Sequence, residues 1–436
     1  MRILVIGQCS LHKGRLENGN IGNYYISETT FRELHRVFPE AEIVTTFQFS
    51  DTFCLREKVS CIPLECYYNW DENDLSNAIY EYGIAKLYSI TGKVYQSTRY
   101  IDEICKSDLI IDFSGELWGD HAEPVGHDRF LVGLLKDRVA QLFNKKTVLL
   151  ASSEGPFSDS QVLPFAKEVY KNFDMICNRE ATSKILLETY GFDVSKTYSY
   201  ACPAFLFEPT PLSNTLEIIE RDRIFSTTKP NVGFILCGFN FEEGPYDKTP
   251  RGDEEFTKFV ELIEYIANEL KAHIILMSHQ NGFEKNPFKL INGRDYPIAK
   301  QLYELVRKRG QICMDDIILP VNPYTPKETK GIISQLDMLI TGRVHGFVAG
   351  VSSFVPTVLI NRGFGGISHR NIGFARVVNM EDFISDPHSV EDMKRKVLMC
   401  FHDREEIKTN LIKIIPNVQN TAREAFETLK ILTNGN

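Results

Sequence analysis

Arg343 and His345 stand two residues apart, directly after Gly342, between the apolar run Leu336–Thr341 and a second apolar run from Phe347 to Val355. The order reads as a buried strand, a glycine turn and a helix that is apolar almost all round. A helix N-terminus already carries partial positive charge and N–H groups without intrahelical acceptors. A cation added there is unfavourable unless an anion neutralises it, which makes the turn a candidate anion site. The same residues would also suit a core helix whose Arg meets a carboxylate and whose His meets a carbonyl. The spacing alone does not choose between these.

Other residues able to do chemistry fall where the strand patterns run out into loops. They are Asn20, Gly22 and Asn23; Asp112, Ser114, Gly115 and Glu116; Glu154 and Gly155; Arg179 and Glu180; then His279 and Arg362. Arginines and histidines suit a small polyanion. Carboxylates accept hydrogen bonds from hydroxyls, so Asp112 and Glu116 suit a polyol. Each has a plainer reading: Arg179–Glu180 as a surface pair, His279 as a satisfied strand-end histidine, Gly22 as a turn former. His121 and His127 read as solvated loop residues. No HExxH or paired-cysteine spacing occurs among the 10 cysteines, so no metal is expected.

These residues need strands to deliver them. Apolar runs at 2–6, 42–47, 108–113, 147–151 and 174–178 alternate with helical stretches, as do runs at 232–237, 273–278, 316–319 and 356–360. Strict strand–helix alternation signals a parallel sheet with helices on both faces. In such sheets ligands sit beyond the carboxyl ends of the strands, where the candidates lie. Residues 50–106 read as a helical insertion and 280–294 as a long loop. Thr325-Pro326-Lys327-Glu328 is a capping box with proline at the first helical position. The expected division is 1–208 and 209–390, with helices at 391–436 that could pack back on the first domain.

A chain of 436 residues exceeds what one core usually supports. Its net charge of −9 argues against a nucleic-acid partner. Scattered single cysteines fit a reduced, cytoplasmic setting. The run Met1–Gly7 is too short for a signal peptide, and no stretch approaches a membrane span.

Taken in order, the blocks resemble the polysaccharide pyruvyl transferase family. Asn18 to Asn23 (NGNIGN) is similar to its GNxGD loop, and Asp112 to Glu116, with Asp120, to its glycine-rich element. Gly155-Pro156-Phe157, Arg179-Glu180 with Ser183, Leu187 and Gly191, and Pro203-Ala204-Phe205 resemble further blocks. So do Met277-Ser278-His279 and Gly342-Arg343-Val344-His345-Gly346. Three positions depart: Asn23 and Cys202 replace an aspartate, and Ile360 to Phe364 lacks a tyrosine and a lysine. The resemblance implies two Rossmann-like, doubly wound parallel α/β domains facing a cleft, as in GT-B glycosyltransferases. It also implies transfer of the pyruvyl group of phosphoenolpyruvate to hydroxyls of a cell-surface polysaccharide or its precursor. Phosphoenolpyruvate would be a co-substrate, with no cofactor. Partners would be this small-molecule donor and a saccharide acceptor, and a lipid-linked acceptor would bring peripheral membrane association.

Carried over by position, Arg343, Val344 and His345 would hold the donor, with Arg362 and His279 beside them and Arg179 reaching from the other domain. His345 would be the acid, and Asp112 or Glu116 the base. Asn20, Gly22, Asn23, Gly115 and Glu180 would form the acceptor side or its loops. Two other readings compete. One is a glycosyltransferase of GT-B type using a nucleotide sugar; the other is a non-catalytic saccharide- or anion-binding member of the family.

Overall fold

The computed structural model describes residues 1–7, 16–126, 128–284, 288–364 and 368–434. Most of the polar loop expected after Gly7, together with Cys9 and His127, lies outside the described residues, as does the side chain of Asn18.

The chain divides into two compact units. The first comprises residues 1–16, 28–203 and 421–436; the second comprises 17–27 and 204–420. The segment 17–27, expected in the first domain, therefore belongs to the second unit.

The first unit is built on seven strands: β1 (Arg2–Ile6), β2 (Glu42–Thr45), β3 (Val59–Cys61), β4 (Leu109–Asp112), β5 (Lys146–Ser152), β6 (Met175–Asn178) and β7 (Thr197–Ser199). Their order is β3-β2-β1-β4-β5-β6-β7, and every pairing is parallel. Parallel strands covered on both faces need continuous apolar runs, and Ile3 to Ile6 are fully buried. The chain order reverses between β1 and β4, so the crevice for a ligand opens at their carboxyl ends. There the two turns meet closely: Gly7 has φ +146°, and a Cβ on it would lie 2.7 Å from the Ser114 nitrogen. Glycine is required by both conformation and space. One aromatic cluster, with Trp118, Phe130, Phe157, Tyr170 and Phe192, packs between β5, β6 and the helices.

The second unit repeats the design with β8 (Asn231–Ile235), β9 (His273–Leu276), β10 (Asn281–Glu284), β11 (Lys289–Asn292), β12 (Ile317–Ile318), β13 (Met338–Thr341), β14 (Thr357–Ile360) and β15 (Ile384–Ser385). Six strands form the parallel sheet β12-β9-β8-β13-β14-β15, and β10–β11 is a separate antiparallel hairpin. The reversal lies between β8 and β13. The strand Met338–Thr341, expected to deliver Arg343, thus sits at the switch point.

The fold class expected from alternation holds: two doubly wound parallel α/β units. Four pieces differ in detail. Residues 50–106 carry helices at Asp51–Glu57, Asp74–Thr91 and Arg99–Lys106, but also the edge strand β3. β7 and β15 were not expected, and 280–294 contains a hairpin instead of a plain loop. These strands are two to four residues long, too short to show a period. The capping box forms as expected, with the Thr325 and Glu328 side chains each accepting the other residue's backbone N–H.

Candidate functional site

In the first unit, β4 delivers Asp112, which is 1% exposed. Its Oδ1 accepts the Ser114 N–H at 2.6 Å, tying the turn that follows. Asp137, on the helix Arg129–Leu142, is equally buried beside it and is held by the Trp118 indole N–H at 3.3 Å. Burial, then the neighbouring Asp112 charge, pushes the Asp137 carboxyl well above the usual range; burial also raises Asp112. Two carboxyls shut away together cannot both ionise cheaply. This geometry suits Asp112 to holding the turn. Glu116, half-exposed in the turn Gly115–Leu117, is the more accessible carboxylate.

Gly115 has φ +62°, and a Cβ there would lie 3.6 Å from Arg179 Nη1, so the guanidinium spans the turn. Arg179 is buried, donating through Nε to Ser153 Oγ at 2.9 Å and through its backbone to the Ser152 carbonyl. Glu180 faces the helix Thr182–Thr189, accepting the Thr182 and Ser183 N–H groups at 2.6 and 3.1 Å. One residue ahead of the N-cap Ala181, it satisfies the first N–H groups of that helix and is fully buried, which is a structural duty. Glu154, fully buried after β5, takes the Ser152 hydroxyl at 2.7 Å on Oε1, while its Oε2 has no hydrogen-bond partner among the described residues. Burial raises its pKa to about 7.

In the second unit the turn after β13 is held by Thr341, whose Oγ1 accepts the Arg343 N–H at 3.0 Å. Arg343 is the N-cap of the helix Val344–Ser352 and extends to Asp295, the first residue of the helix Asp295–Arg309. Its Nε donates to Asp295 Oδ2 at 3.1 Å, Nη2 forms a second, shorter contact to Oδ1, and Nη2 also donates to Gln280 Oε1 at 2.9 Å. Burial works to lower the Arg343 pKa, but the Asp295 charge and hydrogen bonds together with Cys237 and Tyr246 outweigh it, and the net direction is up. Asp295 is fully buried and also accepts the His279 N–H at 3.2 Å.

Arg362, arriving from the loop after β14, lies beside Arg343. Their guanidinium carbons stand 5.1 and 5.5 Å from the centroid of one ring, Phe239, in the turn after β8. Tyr246 stacks on that ring at 4.9 Å, and its hydroxyl accepts from the exposed Arg294 at 2.6 Å. Arg362 has no carboxylate partner among the described residues. Burial, opposed by Cys237 and reinforced by Arg343, lowers its pKa to about 10, so it stays charged at neutral pH. A desolvated cation without a counter-charge is costly, and a bound anion would remove that cost.

His345 lies in the first turn of the same helix, edge-on to Phe374 at 5.9 Å. The NGNIGN segment, expected as a loop but helical at Leu16–Gly19 and again from Ile21, meets it. Asn20 Oδ1 caps the helix Ile21–Val37 through the Asn23 N–H at 3.2 Å, and Asn20 bridges Gln280. A Cβ on Gly22 would fall 2.5 Å from His345 Nδ1. Gly22, read from sequence as a turn former, is instead the floor beneath the imidazole.

His279 is 2% exposed, edge-on to Tyr25 at 5.5 Å, and its Nε2 has no hydrogen-bond partner among the described residues. Burial, then the Arg343 charge, lowers its pKa to about 3, so it is neutral at pH 7 and cannot act as an acid there. The folded state binds fewer protons than the unfolded chain between about pH 3 and 6.5, so stability is lost as pH falls through that window. Replacing His279 by Gln is expected to shrink the drop in Tm between pH 7 and pH 4. An unchanged drop in a thermal melt would show that His279 does not titrate this way.

The structure thus gathers Asn20, Gly22, His279, Arg343, Val344, His345 and Arg362 in the second unit, and Asp112, Gly115, Glu116, Arg179 and Glu180 in the first. Sequence reading missed Gln280, Asp295, Phe239, Tyr246 and Arg294. Only Asp295 had a signal, an acid at the start of an amphipathic helix.

A family model for polysaccharide pyruvyl transferases matches residues 20–363, more than half of the chain. The chain belongs to that family. No curated protein matches it. Among solved structures, a glycosyltransferase from Rickettsia africae ESF-5 aligns with TM-score 0.59 at 12% identity, over 100% of this chain and 99% of the other. The Anabaena protein Alr3699/HepE, in complex with UDP-glucose, aligns with TM-score 0.57 at 12% identity, over 98% and 99%. UDP-GlcNAc 2-epimerase from Neisseria meningitidis, bound to UDP-GlcNAc, gives 0.57 at 8% over 100% of both chains. At such identities these likenesses speak for the fold alone, which is GT-B-like. This pyruvyl transferase family member is a transferase at the family level. No helix among the described residues is long and apolar enough to cross a membrane.

Proposed function

We propose that this family member transfers the pyruvyl group of phosphoenolpyruvate to two hydroxyls of a saccharide destined for a cell-surface polysaccharide. One observation carries the reading: Arg362, charged and without a carboxylate, stands beside Arg343 over Phe239, in the same turn region that presents His345. Arg343 is neutralised by Asp295, so the group keeps an uncompensated charge for a small polyanion. Phosphoenolpyruvate has the matching chemistry, a phosphate and a carboxylate on a three-carbon frame.

In this proposal one acceptor oxygen bonds to the central carbon as the methylene carbon takes up a proton. The second acceptor oxygen then displaces phosphate and closes the ketal. Of the two hydroxyl protons, one is balanced by that gained at the methyl group and the other leaves with phosphate. His345 supplies the proton to the methylene, and the arginines stabilise the departing phosphate. With a saccharide acceptor present, phosphate release from phosphoenolpyruvate is expected, and His345→Ala should abolish it without altering the melt. Near-normal turnover by that variant would remove His345 from the mechanism.

A second reading, a glycosyltransferase using a nucleotide sugar, is favoured by the GT-B-like fold shared with Alr3699/HepE, whose structure is a complex with UDP-glucose. A thermal-shift comparison separates the two, since a ligand bound only by the folded state raises Tm. Stabilisation by UDP-sugars and not by phosphoenolpyruvate would select the glycosyltransferase reading.

A further inference from the structure

The helix Asp74–Thr91 buries one face and leaves another apolar face uncovered. Ala78, Ile84 and Ala85 pack into the core with Val132, Leu135 and Val139 of the helix Arg129–Leu142. Glu81, also inward, pairs with the buried Lys136 at 2.6 Å. On the outside stand Ile79, Tyr80, Leu87 and Ile90, with Ile90 83% exposed and Ile79 52%. With about 3.6 residues per turn, these four fall in one arc of about 120° together with Ser76, Gly83 and Lys86. Nothing lies within 4 Å of a Cβ built on Gly83, so the stripe is open along its middle. The helix ends at Gly92, and the turn beyond it adds exposed Val94 and Tyr95. Tyr80 ties that turn back by donating to Gln96 Oε1 at 2.7 Å. A contiguous apolar face of this kind on a folded chain marks a contact surface.

Its charge identifies the partner. From residue 75 to residue 99 the cations Lys86, Lys93 and Arg99 are all exposed, and the sole acid, Glu81, is buried against Lys136. Asp71 and Glu72 lie before the helix and Asp102 after the turn, outside the stripe. The protein as a whole carries a net charge of −9, so this basic, apolar face stands apart from its background. A second copy docking the same patch would set Lys86 and Lys93 against their own equivalents with no acid to pair them. An anionic bilayer supplies both needs, taking the isoleucines, leucine and tyrosines at its interface and the cations at its headgroups.

We propose that the Asp74–Thr91 helix and the turn to Tyr95 form a peripheral docking surface for an anionic lipid bilayer. The surface is independent of the donor chemistry. Its test is co-sedimentation of the full-length protein with phosphatidylcholine vesicles, with and without phosphatidylglycerol. The wild-type protein should pellet with phosphatidylglycerol vesicles at low salt, and roughly tenfold less with phosphatidylcholine alone. The double variant Leu87→Glu/Ile90→Glu should lose binding, with circular dichroism reporting an unchanged fold. Lys86→Glu/Lys93→Glu, which leaves the apolar stripe intact, should weaken binding and flatten its salt dependence. Failure of the wild-type protein to bind anionic vesicles would overturn the proposal. So would binding that neither variant alters, or a solution dimer that Leu87→Glu/Ile90→Glu dissociates.

Discussion

Arg362→Ala is expected to keep the fold and lose the donor, whereas Arg343→Ala is expected to lose both. The two guanidinium groups share one aromatic ring but differ in what else they hold. Arg343 is the counter-ion of Asp295, which is fully buried. Removing it strands a carboxylate in the interior, a change that costs about 3–5 kcal/mol. For a chain of this size that corresponds to a Tm lowered by roughly 3–5 °C. Arg362 neutralises no carboxylate among the described residues, and its own desolvation disfavours its charge. Its loss should move stability by less than about 1 kcal/mol, while the lost charge-assisted contacts weaken the anion by about 2–3 kcal/mol, or roughly 100-fold in Kd. Thermal melts and phosphoenolpyruvate titrations of both variants give the comparison. Equal destabilisation by the two would show that Arg362 has a structural partner; unchanged donor affinity in Arg362→Ala would remove it from the site.

Gly22→Ala is expected to cut turnover by roughly 100-fold, because the added methyl group would occupy space the His345 ring fills. The backbone at Gly22 is helical, so conformation alone would accept alanine. The penalty is one of space, and an overpacked interior typically gives up about 1–3 kcal/mol. The imidazole must shift, and a general acid displaced by even an ångström loses its alignment with the carbon it protonates. The decisive measurement is a double-mutant cycle. If Gly22 acts by placing His345, Gly22→Ala should change phosphate release little in a His345→Ala background. Full additivity of the two losses would mean that the NGNIGN segment serves something other than the histidine.

The parts legible from the sequence follow from local chemistry. Continuous apolar runs marked the long central strands, because a strand buried on both faces admits little else. Gly342 ahead of Arg343 and His345 marked a strand-to-helix turn, and Thr325 to Glu328 marked a helix start. The edge strands β3, β7 and β15 and the β10–β11 hairpin stayed hidden, since two to four residues carry no period and their pairing partners are remote.

The site shows the same division. Strand and turn signals, set within a few residues, were enough to put arginines, histidines and carboxylates at the carboxyl ends of parallel strands. The sequence by itself could not determine which of them are neutralised. The turn after β13 was equally compatible with an anion site and with a satisfied core helix, and the fold gives Arg343 the carboxylate that the second reading asked for. Arg343 is satisfied, by Asp295 some 48 residues away; Arg362 beside it is not. Likewise Asp112 looks like a base in the sequence, but Asp137 and the Ser114 N–H claim it in the fold. Only tertiary structure decides such matters, because the energy of a charge depends on burial and on partners that chain order leaves far apart.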